Sequence, residues 1–200
     1  MKKSLLVGAL LLVSSAKALA NESADEIVAA AHKRTFDTVR YDPKYVKLTY
    51  PGGDVAADTG VCTDVIIRTY RTALNFDFQK AVHEDMSLNF SSYPQRWGLE
   101  RPDRNIDHRR VPNLKRFLKR QGSAVKISKL AKDYEPGDIV SWRLGGYLPH
   151  IGIVSDNKAD DGTPLIIHNI GSGPVEENML FATDIVGHFR FIPKSDVNPS

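Results

Sequence analysis

The sequence predicts an α+β fold, with N-terminal helices packed on a C-terminal antiparallel β-sheet. Two observations carry this. Four segments with helical spacing and start or stop signals precede Gly122. Beyond it, "GDIVSWRL", "HIGIVSD", "TPLIIHNI" and "GHFRFIP" follow one another as short β-rich runs between Gly, Pro and Asp. Helices first and strands second imply segregated layers rather than alternating βαβ units.

The first element is not part of that domain. Lys2 and Lys3, an apolar run from Leu5 to Val13 and the exit Ala18-Leu19-Ala20 have the layout of a cleavable signal peptide. The run is short of the roughly 20 residues that span a bilayer. Residues 1–20 are therefore expected to be a signal peptide cleaved after Ala20, with no cysteine nearby for a lipid anchor. A single domain, 21–200, would follow in the periplasm or outside the cell. The leader holds three lysines and no acid, so the formal charge of +3 falls to about zero on cleavage. A neutral domain is a poor general binder of nucleic acid. One cysteine excludes an internal disulfide.

Ser23 and Glu26 form a capping box for a first helix, with Val28, Ala31 and Val39 as its apolar stripe. "KYVKLTYPGGDV" is extended and turns at Pro51-Gly52-Gly53. A second helix is expected over Val61 to Leu74, capped by Asp58 or Thr59, with Cys62, Ile66, Thr69 and Ala73 on one face. Asp77 caps a third, "FQKAVHEDMSLNF". A long irregular stretch with three prolines, "SSYPQRWGLERPDRNIDHRRVPN", has the length and composition of a functional or disordered loop. Pro112 then opens a fourth helix, with Leu114, Phe117 and Leu118 inward and Gly122 at its end.

The chemistry centres on Cys62. A lone thiol is more often a small buried hydrophobe than a nucleophile. Here, however, it falls in the first turn of a helix, where free amides favour an anion. His150 opens one strand and His168 closes the next. If the two strands form a hairpin, both imidazoles lie near one end of the sheet, within reach of a helix packed against it. A thiol, a proton-holding histidine and a polar group to orient that histidine are what nucleophilic cysteine chemistry requires.

The motifs Tyr50-Pro51-Gly52-Gly53, Cys62, Gly137-Asp138-Ile139-Val140, His150-Ile151-Gly152-Ile153 and His168 resemble, in order and spacing, the NlpC-type cell-wall peptidases of the papain-like superfamily. The whole chain, including "VHEDM", "NIDHRRVPNL" and "HIGIVSD", looks closest to the YijF-like family of exported bacterial proteins, a domain of unknown function. The NlpC-type resemblance implies Cys62 as nucleophile, His150 as base and acid, and His168 orienting His150. The Cys62 N–H would serve the oxyanion hole, with Tyr50 assisting. It implies hydrolysis of amide bonds in peptidoglycan stem peptides, with no cofactor. Those enzymes read Asp-Cys-Ser-Gly, whereas this chain reads Val61-Cys62-Thr63-Asp64. Asp64 is thus a candidate for a substrate amine, or a first-turn acid that opposes a thiolate. A non-catalytic wall-peptide-binding module and an acyltransferase using the same thioester are the alternatives.

Between Arg96 and Arg120 stand nine basic and three acidic side chains. Arg109 and Arg110, with His108 in the same Pro-bounded loop, are candidate contacts for substrate carboxylates. A loop-pinning Arg109–Asp107 ion pair is the competing use. Lys115 to Arg120 read as a solvated helix face. His83, Asp85, Asp107 and His108 are possible metal donors, but no ligand spacing supports them and no metal is expected.

Overall fold

The computed structural model describes residues 3–194, with side chains from residue 18 onward. Met1, Lys2 and most side chains of the expected signal segment lie outside the described residues. Helix α1 (Lys3–Arg34) runs without a break through Ala20 and Ser23. The Ser23–Glu26 pair is therefore inside a helix rather than at its start. Ile27, Val28 and Ala31 are buried, and Val39 is buried beyond the helix end. Among the described residues no helix is long and apolar enough to cross a membrane.

A short parallel pair, β1 (Arg40–Tyr41) with β2 (Thr59–Gly60), sets Tyr41 beside Gly60. Helix α2 (Cys62–Leu74) starts two residues later. Its N-cap is Val61, not Asp58 or Thr59, because Asp64 reaches back to accept the Val61 N–H at 2.7 Å. The third helical residue thus supplies the bond that a polar N-cap would have made. Helix α3 (Phe78–Asn89) is capped as expected: the Asp77 side chain accepts the N–H groups of Gln79 and Lys80. Helix α4 (Val111–Arg120) carries Pro112 in its first turn and buries Leu114, Phe117 and Leu118.

The sheet comprises β3 (Ile139–Leu144), β4 (Leu148–Lys158), β5 (Pro164–Asn169), β6 (Pro174–Glu177) and β7 (Ile185–Phe189). All neighbours are antiparallel, in the order β6-β5-β4-β3-β7. The predicted α+β class holds, with one added strand and one rerouted. "PVEE" forms β6, and the last strand crosses back to pair with β3 instead of extending the meander.

Strand alternation divides the core. Ile139, Ile151, Ile153 and Ile167 pack against Ile27, Ile66, Phe78 and Leu118 of the helix layer. Val140, Trp142, Val154 and Ile166 face the other way, under Met179 and Leu180 of the segment before β7. With both faces covered, the strands read as apolar runs rather than as a clean alternation.

Candidate active site

Cys62 is the first residue of α2 and is only 5% exposed. Its Sγ faces the N–H of Ile151, the residue after His150, near enough for that amide to favour the anion. That amide is available because the paired register of β4 and β5 ends at Ile153–Ile167. Burial pushes the thiol up to about 12, and the Asp64 charge adds to the rise. The N–H groups of Ile151, Thr63 and Cys62 itself pull the other way and are outweighed. The expectation of a thiol lowered by its helix start is therefore reversed: removing Sγ from water costs its anion more than the amide dipoles return.

His150 and His168 do lie side by side, with Nε2 of His150 2.9 Å from Nδ1 of His168. Both point to the Trp142 face of the sheet, so the thiol and the imidazoles approach β4 from opposite sides. His168 Nε2 continues to Glu177 Oε1 on β6, also at 2.9 Å. Gly152 makes room for this pairing, since a Cβ there would stand 2.7 Å from Ile166 Cγ2 and 3.1 Å from His168 Cβ.

The chain of bonds determines the tautomers. Burial holds His150 down to about 4, and it lowers His168 against the pull of Glu177, so both rings are neutral near pH 7. The Glu177 carboxylate can only accept, which makes His168 Nε2 a donor. His168 Nδ1 is then an acceptor, and His150 Nε2 donates to it. The Nδ1 of His150 is left with its lone pair, the form a general base requires.

Cys62 also lines a cleft of about 470 Å³ with Tyr41, Trp97, Arg110, Val111 and Pro149. The Arg110 guanidinium stands 4.0 Å over the Trp97 ring and is tied to Asp107 Oδ1 at 2.8 Å. Arg110 therefore borders the cleft. Arg109 borders it as well, but with its guanidinium committed elsewhere. Its Nε and a terminal nitrogen grip both oxygens of Asp64, at 2.9 and 2.8 Å, in a buried ion pair. Neither Asp64 nor Arg109 is free for substrate, and the loop is pinned by Asp64 rather than Asp107. His108 is likewise buried, its imidazole held down to about 4 by burial. Tyr50 is placed elsewhere, edge-on to His83 of α3 with Arg104 over its ring. Tyr41 takes the cleft position instead, carried there by the β1–β2 pair.

Sequence reasoning missed Tyr41 and Glu177. Tyr41 lies in a two-residue strand with no pattern to read. Glu177 becomes a partner of His168 only through the β5–β6 register, which pairs it with Ile166. The four weighed metal donors are dispersed: Asp85 binds Arg120 and Tyr93, Asp107 binds Arg110, and His83 packs on Tyr50. Among the described residues no three His, Cys, Asp or Glu side chains gather at metal-binding spacing.

Compared with known proteins, 168 residues align at 55% identity with the uncharacterized protein YijF of Escherichia coli (strain K12), covering 84% of this chain and 82% of that protein. No solved structure matches. Residues 28–191 match the family described as Domain of unknown function (DUF1287), a span that takes in Cys62, both imidazoles and Glu177. The chain belongs to this DUF1287, YijF-like family.

Proposed function

We propose that the protein is an exported cysteine hydrolase of the NlpC-like, papain-like type, an amidase or peptidase acting on peptidoglycan stem peptides. The observation that carries this reading is the bond chain Glu177–His168–His150, which leaves an Nδ1 lone pair on the residue next to the amide that faces Cys62 Sγ. Export follows from the signal-like leader.

Both partners rest neutral, so the proton moves as the bond forms. Because the imidazole lies across β4 from Sγ, one water at the strand end relays the proton: Sγ adds to the amide carbonyl carbon while its proton passes through that water to His150 Nδ1. The oxyanion is received at the α2 N-terminus by the Cys62 N–H. Collapse expels the amine, which takes the proton from His150 and leaves a thioester. Water then attacks the thioester, gives a proton to His150, and the thiol is restored as the acid departs. The buried, raised thiol favours a second reading, a wall-peptide-binding module in which Cys62 is structural.

Alkylation of Cys62 by iodoacetamide at pH 7 separates the two, measured beside His150→Ala and Glu177→Gln. The hydrolase reading expects the wild-type rate to exceed that of folded His150→Ala by about tenfold or more. Glu177→Gln should fall between them, and Cys62→Ala should release no amine from wall peptides. Equal alkylation rates, or full turnover by Cys62→Ala, would establish the binding module instead.

A further inference from the structure

Next to the Cys62 cleft is a smaller pocket, of about 180 Å³, whose charged lining is entirely cationic: Arg96, Lys115, Arg116, Lys119 and Arg143. The two share Arg96, Val111, Pro112 and Pro149, so they form one continuous depression. The cations come from three separate segments: the irregular loop, α4 and β3.

Neighbouring arginines show what ordinary structural use looks like. Arg109 is paired with Asp64, Arg110 with Asp107 and Arg120 with Asp85. None of the five pocket cations makes an ion pair among the described residues. Lys115 and Lys119 also stand at i and i+4, a spacing at which like charges destabilise a helix. Lys115 is half-buried, and burial together with Lys119, Arg143 and Arg96 pulls its ammonium down to about 8. The other four are exposed, as on the solvated helix face expected for Lys115 to Arg120, but they converge on a concavity around Lys115. A single carboxylate would offset one charge of five, whereas a compact multivalent oxyanion offsets several. Arg forks and Lys point charges together suit such a group.

We propose that this pocket binds a phosphoryl-class oxyanion of two or more charges, carried on the arm of the substrate that extends from Cys62. The placement on a substrate arm rests on the hydrolase reading; the binding itself does not.

Pyrophosphate, titrated at constant ionic strength against chloride and followed by tryptophan fluorescence, tests this, since Trp142 lines the pocket. Saturable binding is expected, weakened at least about tenfold in Lys115→Gln and in Arg143→Gln. It should be unchanged in Arg101→Gln, an exposed arginine outside the pocket, and in Cys62→Ala. Absence of saturable binding beyond chloride, or equal weakening in Arg101→Gln, would overturn the site. A tricarboxylate binding as tightly as pyrophosphate would overturn the phosphoryl assignment. Intact pyrophosphate binding in a protein whose Cys62 is inert would sink the hydrolase reading and leave the pocket standing.

Discussion

Replacing Arg109 with Met tests the most consequential correction that the structure makes. The guanidinium and the Asp64 carboxylate are joined by two bonds, and their side chains are 2% and 3% exposed. Without Arg109, Asp64 would keep only the Val61 N–H and would be an uncompensated buried charge. Breaking such a pair from one side costs about 3–5 kcal/mol. With a urea m-value of about 2 kcal/mol/M, the unfolding midpoint should fall by roughly 1.5–2.5 M at unchanged m. Adding Asp64→Asn should recover part of the loss, because the orphaned charge is removed, and the double-mutant cycle should give a clear coupling energy. The damage should also reach the site, since the Thr63 hydroxyl donates to the Arg109 carbonyl and ties the same loop to the start of α2. A loss below about 1 kcal/mol, with substrate affinity alone reduced, would refute this reasoning and restore Arg109 as a carboxylate contact.

Two further outcomes follow from burial. His108 and His150 are both held down to about 4, against an ordinary value of 6.5. Between those limits the unfolded chain binds protons that the folded one refuses, so stability is full above pH 6.5 and falls as pH drops toward 4. The slope is about 1.4 kcal/mol per pH unit for each histidine, reaching roughly 3 kcal/mol each at pH 4. Urea midpoints at pH 7.5, 6 and 5 read it before carboxylates contribute, and a flat profile over that range would contradict the buried neutral rings. Gly152→Ala should cost about 1–3 kcal/mol by pressing a methyl group against Ile166 and His168. It should also alter the His168 imidazole resonances; a loss under about 0.5 kcal/mol with those unmoved would mean the strands are not so closely apposed.

Much of the architecture was legible locally. Helical spacing and caps involve residues within one or two turns, so Asp77 at the start of α3 and Pro112 in α4 could be read directly. The four longer strands announced themselves by apolar β-rich runs between breakers, and adjacency of β4 and β5 brought His150 to His168 as expected. Where a signal was local but ambiguous, reading failed: Asp58 and Thr59 are good caps, yet Asp64 bonds the Val61 N–H from inside the helix. "PVEE" has a proline and two acids and becomes a strand only because β5 offers it an edge.

By itself, then, the sequence determined the order of helices and strands, the place of Cys62 at a helix start and the hairpin that joins the imidazoles. These depend on spacing along a single segment. Tertiary structure alone decided that Asp64 holds Arg109, that Glu177 completes the histidine pair, that the thiol is raised rather than lowered, and that five unpaired cations share a pocket. Each of these depends on strand register, sheet face or the exclusion of water between segments far apart in the chain, and none of the three is encoded in any short stretch of residues.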